Sequence, residues 1–186
     1  DPYKYCDVNR PAKDIYTIPN RSVARKAATE TFVLLKNENH LLPLLKKGKI
    51  ALIGLLANTR TNMPGTWSVA AVLNKYSSLL EAFKRAVGNN AEILYAQGSN
   101  LMYDSIYQKN ATMFGREMPR GNDKTLLQQA LATAEKADVI VAALGESSEL
   151  SGECSSRTDV RIPDAQRDLL TALLKTGKPI VLLNFA

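Results

Sequence analysis

The chain has 186 residues, of which 45% are hydrophobic and 23% charged, the balance of a globular protein able to bury one sizeable core. Its formal net charge of +6 is dispersed, with only short clusters such as Lys46-Lys47-Gly48-Lys49, so it reads as a solvated basic surface and argues against nucleic-acid binding. No apolar run approaches the roughly 18 residues that cross a bilayer, which argues against a membrane span.

The opening, Asp1-Pro2-Tyr3-Lys4-Tyr5, is polar, carries no signal-peptide pattern and lacks an initiator Met, and residues 1–19 read as a linker. A helix is expected from Arg21 to about Leu35, capped by Asn20, with Val23, Ala24, Ala27, Ala28, Thr31 and Leu35 near one face. An apolar connector, Leu41-Leu42-Pro43-Leu44, follows. His40, the only histidine, lies beside it without a Ser, Cys or second His nearby, and is read as a surface or capping residue.

Lys49–Ile53 is expected as a buried strand ending at Gly54, and the long loop after it holds the only tryptophan, Trp67. Ser77 is the expected cap of a helix with Leu79, Leu80, Phe83 and Val87 inward, closed by Gly88. A strand over Ala91–Ala96 is followed by an irregular or weakly helical stretch, 98–122. Asp123 is the expected cap of a helix with Leu126, Leu127, Ala130, Leu131 and Ala134 inward.

A strand over 138–145 breaks at Gly145 into a loop with three carboxylates, Glu146, Glu149 and Glu153, followed by Arg157 and Asp159. Asp164 to Thr176 is a helix, and Pro179 to Phe185 a final apolar strand. Strands alternating with helices predict an α/β fold with a mainly parallel sheet covered on both faces. Residues 20–186 form one such domain on this reading. A buried strand at the last residue gives the expectation that the domain is truncated there, and that the chain is a piece of something longer.

The chemistry narrows by what is missing. There is no GxGxxG or GxxxxGK[ST] loop for a nucleotide, and the acids after Leu144 would repel a pyrophosphate. No GxSxG elbow accompanies the single histidine. Cys6 and Cys154 match neither a zinc spacing nor a CxxC pair, which leaves a disulfide between them open. The three Glu residues lack a histidine partner, and their spacing suits a solvated turn as well as a cation site, so neither a metal nor a cofactor is expected. Glycoside hydrolysis, which needs two carboxylic groups and uses aromatic surface to stack a sugar ring, fits as one possibility among several. A Glu-rich loop and a Trp-bearing loop, each leaving a strand end, would converge on one crevice.

Co-ordered motifs over nearly the whole chain then carry a resemblance. They are Glu30-Thr31-Phe32-Val33-Leu34-Leu35-Lys36-Asn37-Glu38, Leu41-Leu42-Pro43-Leu44, Lys49-Ile50-Ala51-Leu52-Ile53-Gly54, the run from Asn58 to Ser68, Leu144-Gly145-Glu146, Ser151-Gly152-Glu153, Ser155-Ser156-Arg157-Thr158-Asp159 and Ile162-Pro163-Asp164-Ala165-Gln166. Together they resemble the second domain of family 3 glycoside hydrolases, closest to bacterial periplasmic β-glucosidases.

The resemblance implies part of an (α/β)6 sandwich that partners an N-terminal barrel carrying an Asp nucleophile, with the active site between them. It implies that Glu153 is the general acid/base, that Trp67 helps clamp the aglycone, and that Arg157 and Asp159 hold the acid/base loop in shape. It also implies a β-glucoside or oligosaccharide substrate, a periplasmic location, and no activity for this piece alone. Glu146 is read as a structural hydrogen-bonder. Leu55 departs from a common Pro, and Cys154 from a small residue. The alternative reading is a non-catalytic carbohydrate-binding or interaction domain.

Overall fold

The computed structural model describes residues 1–65, 67–68, 71–110, 118–150, 152–153 and 155–186. The chain divides into two compact units, Asp1–Leu42 and Pro43–Ala186. The first holds helices α1 (Arg10–Asp14) and α2 (Ile18–Glu30), and neither helix buries a residue. The cap of α2 is Thr17, whose hydroxyl accepts from the Asn20 N–H, with Pro19 in the first turn. Asn20, the expected cap, instead donates its amide to the Asp14 carbonyl at 2.6 Å. The helix stops at Glu30, short of the expected Leu35, where Thr31 turns its hydroxyl onto the Ala28 carbonyl. Phe32, Val33, Leu34 and Leu35 are all exposed. Cys6 is exposed as well; Cys154, its expected possible partner, is outside the described residues. His40 sits exposed in a 3-10 turn, Glu38–His40.

The second unit is built on four parallel strands, β1 (Lys49–Ile53), β2 (Glu92–Ala96), β3 (Val139–Gly145) and β4 (Ile180–Phe185), in the order β2-β1-β3-β4. Helix α3 (Leu79–Val87) connects β1 to β2. A short α4 (Ser105–Asn110) and α5 (Asp123–Glu135) lie between β2 and β3, and α6 (Asp164–Leu174) joins β3 to β4. Ala51 and Ile53 of β1 and Ile140, Ala142 and Leu144 of β3 share one face, packed on Ala130 and Ala134 of α5 and Leu169 and Leu173 of α6. The β1-to-β2 step runs the other way along the sheet, so a right-handed crossover puts α3 on the opposite face. There α3 packs on β2 and on a 3-10 turn, Leu55–Asn58. Burial on both faces explains why β1 and β3 read as unbroken apolar runs without period-2 alternation. Among the described residues no helix is long and apolar enough to cross a membrane.

Two helix caps differ from expectation by one residue. Ser78, not Ser77, caps α3, because Glu81 stands three residues after it and closes a reciprocal capping box. Ser77 instead accepts a hydrogen bond from Arg85 at 2.8 Å. Asn122 caps α5 through the Thr125 N–H, while Asp123 accepts from the buried Asn100 amide. In the stretch 98–122, residues 111–117 lie outside those described.

The sheet closes on two glycines. A Cβ on Gly54 would lie 2.0 Å from the Ala143 carbonyl oxygen, and one on Gly145 would lie 2.0 Å from that of Phe185; both have positive φ, +139 and +137. Gln166, buried in α6, completes the end of β3: its amide accepts the Gly145 N–H at 2.9 Å and donates to the Gly145 and Leu101 carbonyls at 2.8 and 3.0 Å. Gly54→Ala and Gly145→Ala are each expected to cost roughly 3 kcal/mol or more in chemical denaturation, through strain at a special backbone conformation plus the clash. Gly65→Ala, where a Cβ meets nothing within 4 Å, should stay within about 0.5 kcal/mol. Gln166→Leu should cost about 3 kcal/mol by stranding buried peptide groups; equal stability of wild type and variant would remove Gln166 from this account.

Candidate active site

In a sheet ordered β2-β1-β3-β4 the chain leaves β1 towards one side and returns to build the other. The crevice at such a reversal lies beyond the carboxyl ends of the two strands that flank it, here β1 and β3. The loop after β1 bears Trp67, and the loop after β3 bears the three glutamates, so strand order brings together the two loops singled out from sequence. They touch through Asn62: its side-chain oxygen accepts the Ser148 N–H at 2.6 Å, and its amide donates to the Glu146 carbonyl at 3.5 Å. Trp67 is 76% exposed and Glu153 is exposed. Thr66, Ser151 and Cys154, which flank them in the sequence motifs, lie outside the described residues.

The β3 loop begins as a continuation of the sheet, with the Glu146 N–H on the Phe185 carbonyl at 2.8 Å. The Glu146 carboxylate is ion-paired with Arg157, each side chain being only 19% exposed. Arg157 also donates to the Arg161 carbonyl at 2.7 Å. A 3-10 turn, Ser148–Leu150, seats Leu150 among Leu55, Leu56, Leu101, Met102 and Met118. The Ser155 hydroxyl donates back to the Glu149 carbonyl, and its N–H to Gly152 at 3.1 Å. The loop is therefore pinned at its base, and Glu153 stands between the pins.

Asp159 is exposed and is gripped by Arg161 through both carboxylate oxygens, at 2.6–3.0 Å. That side-chain hydrogen bonding holds its carboxyl well below the usual carboxylate range. The two residues named from sequence as supports thus have different partners, Glu146 for Arg157 and Arg161 for Asp159.

Beside this loop opens a cleft of about 420 Å³ whose lining includes Asp104, Tyr107, Arg157, Arg161, Asp164 and Arg167. Its wall is tied together by Tyr103, whose N–H donates to Asp164 at 3.2 Å and whose hydroxyl donates to Asp168 at 2.8 Å. The bond to Asp168 pushes the Tyr103 phenol up to about 12. Among the described residues no group of three or more His, Cys, Asp or Glu side chains comes together to hold a metal ion. Sequence reasoning assigned no role to Asn62 or Gln166, although both lie inside quoted motifs. Each acts on backbone groups distant in the chain, which no residue spacing reveals.

The largely buried Glu146–Arg157 pair makes a direct prediction. Arg157→Met should destabilise by roughly 2–4 kcal/mol, because it leaves a carboxylate without its cation. The double variant Arg157→Met, Glu146→Gln should regain most of that loss; equal losses in the single and double variants, read by denaturant titration, would show that the pair does not govern the effect.

Comparison with known proteins gives a consistent picture. Residues 32–186 match the model of the glycosyl hydrolase family 3 C-terminal domain. A periplasmic β-glucosidase of Salmonella typhimurium is 42% identical over 167 residues, covering 88% of this chain and 22% of that protein. A probable exo-1,4-β-xylosidase of Aspergillus fumigatus is 34% identical over 188 residues, covering 99% and 20%. Among solved structures, the β-glucosidase from Listeria innocua in complex with isofagomine superposes with a TM-score of 0.75 at 31% identity, over 100% of this chain and 23% of that one. The chain thus spans about a fifth of the length of these relatives. The chain belongs to the C-terminal domain family of the family 3 glycosyl hydrolases, and its parallel four-stranded sheet with flanking helices is part of their (α/β)6 sandwich.

Proposed function

We propose that this chain is the acid/base-bearing domain of a retaining β-glucosidase that hydrolyses terminal β-D-glucosides. The observation that carries the reading is the meeting of the Trp67 and Glu153 loops at the carboxyl ends of β1 and β3, in a chain whose relatives are named β-glucosidases and β-xylosidases. Glu153 is the proton donor to the leaving oxygen, and Trp67 is the aromatic surface beside the aglycone. Arg157 and Asp159 support the loop through their separate partners.

Retention needs a second carboxylate about 5 Å from the first, as nucleophile. On this reading a barrel domain of the same protein supplies that Asp, residues 1–19 link the two domains, and residues 20–186 belong to the sandwich. The isolated chain is then inactive. The enzyme works in the periplasm, as the name of the Salmonella relative supports. An exposed Glu becomes a useful acid near neutral pH when an apposed surface desolvates it, which is what closure against the barrel would do. Once the glycosyl–enzyme ester has formed, Glu153 as carboxylate takes a proton from water, and the attack of that water frees the sugar and restores the acid.

The test is Glu153→Gln in the full-length protein. Turnover of phenyl β-glucoside, a poor leaving group, should fall by roughly 100-fold or more, the usual worth of a positioned proton donor. With 2,4-dinitrophenyl β-glucoside, whose leaving group needs no proton, loss of the base leaves deglycosylation limiting. Azide should restore that rate and yield a β-glucosyl azide, the retained configuration. Unchanged turnover of the phenyl substrate would sink the assignment and move attention to Glu149 or Glu146.

A further inference from the structure

We infer that Asn62 is a positioning residue for Glu153, holding the loop after β3 in the place from which it presents its acid. The inference rests on the proposed role of Glu153 and deepens it.

The β3 loop departs at Gly145, and its first anchors lie on its own side of the sheet: Glu146 on Phe185 through the backbone, and Glu146 on Arg157 through the side chain. Asn62 comes from the other strand's loop. A primary amide offers one acceptor and two donors, and Asn62 applies both kinds to backbone groups two residues apart, accepting from Ser148 N–H at 2.6 Å and facing the Glu146 carbonyl at 3.5 Å. The short acceptor bond is the dominant one.

Ser148 opens the 3-10 turn that ends at the buried Leu150, so the bond to Asn62 and the burial of Leu150 set the two ends of that turn. The carbonyl of Glu149, in the middle of the turn, receives the Ser155 hydroxyl. The segment presenting Glu153 therefore closes on a base that Asn62 helps to place. Asn62 is itself held, its N–H on the Thr59 hydroxyl at 3.4 Å and that hydroxyl paired with Thr61 at 3.0 Å. Thr59 is buried. One amide thus couples the loop that carries Trp67 to the loop that carries Glu153.

The experiment uses Asn62→Ala, Asn62→Asp and Glu153→Gln in the full-length protein, with kcat/KM measured on phenyl and 2,4-dinitrophenyl β-glucosides alongside the melting temperature. A good leaving group needs no proton, so only the phenyl substrate reports on placement of the acid. In Asn62→Ala, kcat/KM for phenyl β-glucoside should fall roughly 10- to 100-fold, the scale of a small misplacement of a catalytic group, with the dinitrophenyl value within about twofold of wild type. Asn62→Asp keeps the acceptor for Ser148 and should recover most of the loss. Equal losses on both substrates, or none on either, in Asn62→Ala overturn this inference alone when Glu153→Gln does discriminate between them. A Glu153→Gln variant that fails to discriminate overturns the acid/base reading and this inference together.

Discussion

Contact of backbone on backbone at Gly54 and Gly145 is the constraint on which the second unit depends. Each glycine ends a strand, and each lies against the carbonyl of the neighbouring strand, Ala143 in one case and Phe185 in the other. No side chain fits at that distance, so the two positions pin β1, β3 and β4 in register at the end where the loops leave. Gln166 then satisfies what the break at Gly145 would leave open, substituting a side-chain amide for a missing stretch of sheet. The loops of the candidate site depart from a rigid rim because the rim consists of peptide groups in direct contact.

From that rim the acids of one short loop reach different environments. Glu146, adjoining the sheet, is largely buried and committed to Arg157. Glu149 uses its carbonyl to pin the loop. Glu153 is exposed. A carboxyl group acquires a role from its surroundings, through burial, opposite charge and hydrogen bonding. On the proposed function, the exposed acid is completed only when another surface covers it. Stable anchors at the base of the loop and an uncovered acid at its tip suit a site shared between two domains.

Much of the fold was legible from the chain. Apolar runs bounded by Gly54, Gly145 and Gly177 mark strands and helix ends to within a residue or two, because burial on both faces of a parallel sheet leaves a continuous apolar signature. The caps were less legible. Ser77 and Ser78 are chemically equivalent, and Glu81 decides between them only through reciprocal geometry. Beyond Glu30, Thr31 and Leu35 continue the helical spacing of Val23, Ala24, Ala27 and Ala28, yet the helix ends where Thr31 folds onto Ala28.

The sequence by itself determined the α/β class, the alternation of elements and, through motif resemblance, the family, and it proposed the two loops with Glu153 and Trp67. These follow from local composition and order, which a linear reading captures. Tertiary structure alone decided that β1 lies beside β3, so that the two loops meet through Asn62. It also decided that Arg157 pairs with Glu146 while Asp159 pairs with Arg161, and that Asn62 and Gln166 bind distant backbone. Strand order and side-chain partnership are non-local: they depend on which peptide groups and charges meet after the chain has crossed the sheet, and spacing along the chain does not encode that meeting.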